Sequence, residues 1–228
     1  MKTIGFLGAY DKTDMLLNLA KVLTLMNSRV LLVDSTINQK AKYVVPTINP
    51  TLSYITSFED IDVAIGFSNL NEINDYIGEV SLPYDIVLVD CDIPERISTF
   101  NIEESFRNYF VTSFDMYSLR KGMEILDGIE GKLKLTKILF ARNMLKEDDD
   151  YLNFISMNKR VEWDNDPVYF PLENGDLSVI AENQRVEKIK FKRLSTFYKE
   201  SISFLAQQIL DTASDGDVRR AIRTLEKQ

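Results

Sequence analysis

Short runs in which every position is apolar alternate along the chain with longer stretches whose apolar residues follow a helical period. Lys2 to Leu7 reads as a first strand, followed by a loop at Gly8-Ala9-Tyr10-Asp11. From Thr13 to Met26 apolar residues fall on nearly every side, which predicts a largely buried helix that Asn27-Ser28 breaks. Val30-Leu31-Leu32-Val33 and Ile86-Val87-Leu88-Val89 are continuously apolar, and they end at Asp34 and Asp90. Phe110-Val111-Thr112, Lys137-Ile138-Leu139-Phe140 and the shorter run Val168-Tyr169-Phe170 are further strand candidates. Strands apolar on both faces and separated by helices predict an α/β fold: a doubly wound, mostly parallel sheet with helices on both faces. In such sheets ligands bind at the carboxyl ends of the strands.

Other stretches are less regular. Between Pro46 and Tyr84, Thr51 to Ile55 and Glu59 to Val63 suggest a short helical or strand insertion without an assignable register. The acidic run Glu147 to Asp150 is expected as a solvated loop. Arg185 to Leu210 reads as one long helical region with an apolar stripe of Phe191, Leu194, Phe197, Tyr198, Ile202, Leu205 and Ile209. Ala213 to Asp217 looks like a break, so residues 1–212 are expected as one domain and 213–228 as a tail helix. In that tail Val218, Ala221, Ile222 and Leu225 share a face, with Arg219, Arg220, Arg223 and Lys227 elsewhere.

Composition removes several chemistries. There is no histidine, which excludes Ser-His-Asp and Cys-His nucleophile pairs, imidazole proton shuttles and His-ligated zinc. The one cysteine, Cys91, excludes disulfide frameworks and cysteine metal clusters, and its place after an apolar strand suits a small packed residue. A net charge of -8 disfavours broad contact with nucleic acid or anionic lipid. No apolar run approaches the ~20 residues that cross a bilayer, and Asp11 falls where a signal peptide would still be apolar. A cytoplasmic protein is the expectation.

Three strand ends carry the candidate chemistry. Gly8 to Thr13 is a strand-loop-helix segment with Lys12-Thr13 at the helix start. In a phosphate loop such a Lys faces the β/γ-phosphates, such a Thr holds Mg²⁺, and backbone amides cradle oxygens. Asp34 and Asp90, at the tips of buried strands, are the residue type that holds Mg²⁺ directly or through water. Lys12-Thr13 as a generic helix start, and strand-end aspartates as caps or turn formers, are the bland alternatives.

Taken in order, these segments resemble the MinD/ParA branch of P-loop ATPases, almost end to end. Lys2 to Ala20 resembles that family's first strand, deviant phosphate loop (Gly-Lys-Gly-Gly-Val-Gly-Lys-Thr-Thr) and helix. Val30 to Gln39 resembles its Asp-x-Asp-Pro-Gln strand, and Tyr84 to Asp90 its Tyr-Asp-hydrophobic-Asp strand. Phe110 to Leu126, Lys137 to Asn143 and Pro167 to Asn183 resemble its later segments. The resemblance implies ATP or ADP with Mg as cofactor. Gly8, Asp11, Lys12, Thr13 and Asn143 then stand at nucleotide-binding positions, and Thr13, Asp34 and Asp90 at metal positions. Asn143 reads adenine in that pattern, or is a strand-end turn residue; both readings stand.

The departures matter as much. Leu7 replaces the signature lysine, Asp11 the glycine before the catalytic lysine, Phe6 and Ala9 two other loop glycines, and Thr36 the second acidic residue. A carboxylate at Asp11 repels a phosphate charge by about 4 kcal/mol at 4 Å and an effective dielectric of 20. Fast hydrolysis is therefore not expected, and no residue is assigned as catalytic. The reading is a catalytically impaired member resembling TadZ/CpaE proteins, a localisation or scaffold factor for a pilus, secretion or partitioning machine. Its expected partners are proteins, with a homodimer allowed by the resemblance and polar placement coming through those partners. The alternatives are an active partitioning or division-site ATPase cycling between monomer and ATP-bound dimer, and a fold-only protein without nucleotide. Membrane contact through the tail, as in MinD-type relatives, is not favoured, since the tail is short and contains Glu226.

Overall fold

The computed structural model describes residues 1–47, 51–141, 146–171, 173–211 and 213–227; the side chains of residues 146, 147 and 174 are also left out of account. Strand β1 (Lys2–Leu7) leads into helix α1 (Thr13–Leu25), then β2 (Val30–Asp34), β3 (Tyr54–Phe58), β4 (Ile61–Ile65) and α2 (Leu70–Ile77). Next come β5 (Ile86–Cys91), α3 (Glu95–Thr99), β6 (Arg107–Ser113), α4 (Met116–Leu126) and β7 (Leu133–Ala141). The chain closes with α5 (Lys146–Ile155), β8 (Val161–Trp163), β9 (Val168–Pro171), α6 (Asn174–Val186), α7 (Thr196–Ile209) and α8 (Asp215–Leu225).

The sheet runs β3-β4-β2-β5-β1-β6-β7-β8, with β9 also on β7. Only β3 against β4 is antiparallel among these pairs. Strand alternation divides the core into two layers. Ile4, Phe6 and Leu32 pack with α1, α7 and α8, while Leu7, Leu31, Val33 and Val89 face the α2–α4 side. The doubly wound, mostly parallel sheet expected from the apolar runs is therefore present.

Three segments differ from their expectation or complete it. The unassigned stretch folds as the β3–β4 hairpin and α2. Its tight turn places Glu59 (φ 53°) and Asp60 (φ 66°) in the left-handed region without the Asn-Gly signature of such turns. Buried Lys21 holds it by donating to the Glu59 carbonyl at 2.7 Å and to Asp60 Oδ2 at 3.1 Å. The acidic run is not a loop but the start of α5, where carboxylates suit the positive end of the helix dipole. Asp149 there pairs with Lys137 at 2.6 Å, and Leu152 anchors the helix in the core.

The region from Arg185 to Leu210 is likewise not one helix. Glu187 ends α6 at φ 50°, a short 3₁₀ turn covers Phe191–Arg193, and Ser195 restarts the chain as the N-cap of α7. Phe197, assigned by periodicity to the apolar stripe, is 60% exposed. The tail helix α8 seats Val218, Ala221 and Leu225 in the α1–α7 layer, so its apolar face is turned inward. Arg219 and Arg220 pair with Asp215 and Asp217. No helix among the described residues is long and apolar enough to cross a membrane.

Candidate functional site

Register brings the three strand ends together. Asp34 on β2 lies opposite Asp90 on β5, and Asp90 lies opposite Phe6 on β1, so both carboxylates project from the Phe6 face. The loop from Gly8 to Lys12 leaves β1 above them and turns into α1. Gly8 has φ +137°, and a Cβ there would meet the Val111 carbonyl oxygen at 2.0 Å, so only glycine fits between β1 and β6.

Lys12 does not face outward. Its side chain is 2% exposed, and Nζ donates to the Gly8 carbonyl at 2.5 Å and the Tyr10 carbonyl at 3.3 Å. The same ammonium lies 2.8 Å from Asp90 Oδ1. That contact is a buried ion pair, and Oδ1 has no other partner among the described residues. Burial pushes the Asp90 carboxyl above the usual carboxylate range, Lys12 opposes the shift and Asp34 adds to it.

Asp34 is fully engaged. Oδ1 accepts from the Thr36 amide at 3.1 Å and the Thr36 hydroxyl at 2.5 Å, and Oδ2 accepts from the Ala41 amide at 2.8 Å. Thr36, where an acidic residue was noted as missing, thus serves as a turn partner of Asp34. Ser35 ties β2 to β5 by donating to the Asp90 carbonyl at 2.5 Å. Asp92, two residues beyond Asp90, accepts from the Ile37 amide at 3.0 Å and so caps a turn.

Asp11 turns its carboxylate onto the start of α1, where Oδ1 accepts from the Thr13 amide at 3.2 Å; Oδ2 pairs with Lys40. An internal anion thereby sits at the first free amide of the helix, the place where helix N-termini favour negative charge. Leu7 is fully buried in the opposite layer, against Cys91 and Phe110. Cys91 is a packed residue, its thiol pushed up to about 12 by burial. Gly8, Asp11, Lys12, Thr13, Asp34 and Asp90 are therefore all at one place, while Asn143 lies outside the described residues.

Three participants were missed by sequence reading: Lys40, Tyr10 and Asp14. Lys40 is remote in sequence and carries no local signal. Tyr10 stacks on Phe140 with centroids 4.6 Å apart, and burial pushes its hydroxyl up to about 12. Asp14 stands where the quoted motif has its second Thr. Burial, then the Asp11 charge, raises its carboxyl to about 6 even though Gln184 donates to it at 2.7 Å.

Neither a protein-family profile nor a curated protein matches the chain by sequence. Solved structures do match in fold. The septum site-determining protein MinD of Pyrococcus horikoshii OT3, complexed with Mg-ADP, aligns at 18% identity over 92% of this chain and 96% of that chain, with a TM-score of 0.59. A ParA family ATPase from Chlorobium tepidum TLS aligns at 13% identity over 100% and 98%, with a TM-score of 0.56. The MinC:MinD cell division protein complex of Aquifex aeolicus aligns at 12% identity over 94% and 98%, with a TM-score of 0.56. At such identities the likeness is one of architecture, and this chain has the fold of the MinD/ParA-type P-loop ATPases.

Proposed function

We propose that this chain is a catalytically impaired protein of the MinD/ParA fold that works through protein contacts, as a localisation or scaffold factor for a pilus, secretion or partitioning machine. The observation that carries the reading is the inward satisfaction of the loop: Lys12 is spent on Asp90 and two loop carbonyls, and Asp11 on the first amide of α1. Leu7 adds to it, being an interior side chain where the signature lysine would reach out.

The cofactor implied by the fold is a magnesium nucleotide, as in the Pyrococcus horikoshii relative. Lys12, Thr13, Asp34 and Asp90 are the residue types that would hold it, but as placed their polar partners lie within the protein. The ammonium that would face phosphate lies on Asp90, the amide that would cradle it is bound to Asp11, and both Asp34 oxygens hold protein donors. A nucleotide could enter only by displacing these contacts, so no chemical step is assigned to it. Surface for protein contacts is present on α7 and β9, where a groove of about 360 Å³ is lined by Tyr169, Pro171, Phe197 and Phe204.

Calorimetry with Mg-ADP and Mg-ATP, alongside phosphate-release measurements, tests the reading on the parent chain and on Asp11→Gly. The expected result is no turnover above the protein-free background, and nucleotide binding strengthened at least roughly tenfold by Asp11→Gly as one repelling charge is lost. Magnesium-dependent turnover by the parent chain, abolished in Lys12→Ala, would overturn it. The active partitioning or division-site ATPase would then take its place.

A further inference from the structure

Helix α7 is packed on one side only. Tyr198, Ile202, Leu205 and Ile209 bury its inner face, while Phe197, Glu200, Phe204 and Gln207 recur at helical spacing on the outer one. Phe197 and Phe204 are 60% and 39% exposed and stand about two turns apart, with exposed Glu200 between them. This outer face is shared by two grooves that meet at Glu200 and Phe204. One, of about 360 Å³, has β9 as its far wall, with Tyr169 between Pro167 and Pro171. The other, of about 630 Å³, has α8, with Arg219, Ile222 and Arg223.

Both walls are fixed without an occupant. The Ser201 hydroxyl bonds the Tyr169 carbonyl, Lys199 pairs with Glu226 at 2.8 Å, and Gln207 Nε2 donates to Asp215 Oδ1 at 2.7 Å. The groove is therefore preformed, which lowers the ordering cost of binding. Charge then narrows the occupant. Between α7 and α8 the cations Lys199, Arg219 and Arg223 face the anions Glu200, Asp215 and Glu226. Lys199 is matched by Glu226 and Arg219 by Asp215. Glu200 on one wall and Arg223 on the other are left with no ion-pair partner among the described residues.

We propose that this groove seats an amphipathic helix of a partner protein, its apolar residues against Phe197, Phe204 and Tyr169, a Lys or Arg over Glu200 and an Asp or Glu against Arg223. Phe197 to Gln207 spans about 15 Å, roughly three turns of such a helix. A second copy of α7 laid antiparallel about the middle of the stripe sets Glu200 against Glu200, so the charges favour a different protein. A nucleic acid or an anionic membrane meets as many carboxylates as cations here. The inference rests on the reading of this chain as one that works through protein contacts, and not on the state of Lys12.

The test is a phage-displayed library of alanine-based helices of about 18 residues, randomised along one face and selected on the intact chain. Enriched helices are expected to carry two large apolar residues about two turns apart, a Lys or Arg between them and an Asp or Glu to one side. Selection on Glu200→Lys should turn the basic position acidic. A synthetic copy of the enriched helix should bind Phe204→Ala at least about tenfold more weakly than the parent, as expected of an aromatic anchor. Both substitutions fall at exposed positions, so the fold is not at stake. No enrichment over an uncoated surface, a consensus that Glu200→Lys leaves unchanged, or full affinity for Phe204→Ala would each overturn the proposal. So would binding to phosphatidylglycerol vesicles that Phe197→Ala abolishes, which would assign the face to a membrane. Phosphate release measured on the same preparations reports on the loop alone, so failure here and failure of the impaired-loop reading are told apart.

Discussion

Replacing Lys12 by Met removes one ammonium, keeps most of the stem, and asks whether this lysine is a ligand-facing group or part of the fold. At 2.8 Å from Asp90 the bare attraction is about 6 kcal/mol at an effective dielectric of 20. Desolvation of both groups offsets much of that, so the intact pair contributes little net stability. Breaking it is different. Asp90 is 4% exposed, Lys12 is the one cation that the described residues place against its Oδ1, and Asp34 stands beside it, so no neighbouring cation takes over the charge. Loss of one partner from a buried pair costs about 3–5 kcal/mol, and two loop carbonyls lose their donor as well. Partial proton uptake by Asp90 places the expected loss at the lower end, about 3 kcal/mol.

For a chain of this length that is a fall of roughly 6–12 °C in melting temperature. Urea and thermal unfolding of the parent, Lys12→Met, Asp90→Asn and the double variant measure it as a cycle. Because the two residues touch, the double variant should recover at least about 2 kcal/mol relative to the sum of the single changes. A Lys12→Met chain within about 0.5 kcal/mol of the parent is the behaviour of an exposed lysine. That result would refute the buried-pair reasoning, and with it the main support for an impaired phosphate loop.

Two further outcomes follow from the same geometry. Gly8→Ala places a methyl 2.0 Å from the Val111 carbonyl at φ +137°, and should cost more than about 2 kcal/mol in urea unfolding, far above an ordinary surface Gly→Ala change. Asp115, the N-cap of α4, is held down at about 2 by the Ser113 and Ser118 hydroxyls. Its folded value lies below its unfolded one, so its stabilisation is present above about pH 4 and fades as pH falls towards 2. Thermal unfolding across that window should show Asp115→Ala losing about 1 kcal/mol at pH 5 and converging on the parent near pH 2.

The fold was legible because its central strands are buried on both faces and announce themselves as unbroken apolar runs. Where packing is one-sided, the signal failed. The β3–β4 hairpin turns on Glu59-Asp60, and what makes that turn tolerable is Lys21, 38 residues away for its contact with the Glu59 carbonyl. The division of Arg185–Leu210 rests on Asp176 holding Ser195, again a contact that periodicity cannot express. Helical spacing alone cannot tell an apolar residue that faces a neighbour from one that faces solvent, and Phe197 is the residue on which that difference shows.

The site repeats this lesson with charge in place of hydrophobicity. Sequence order gathered Gly8, Lys12, Thr13, Asp34 and Asp90 correctly at one end of the sheet, and an aspartate at position 11 signalled repulsion of phosphate. What order could not supply was the answer to that repulsion. The loop makes two ion pairs, the half-exposed Lys40 with Asp11 and the buried Lys12 with Asp90, so both of its cations are matched without a ligand. A phosphate loop that awaits an anion needs positive charge and free amides in excess. Here the excess runs the other way: Asp14, raised by burial and by the Asp11 charge, is left on the rim of an acidic cavity. Asp11 and Asp14 therefore act together. The first occupies the helix amide and pairs with Lys40, and the second turns the adjoining wall acceptor-rich, so removing Asp11 recovers part of phosphate binding and removing both recovers more.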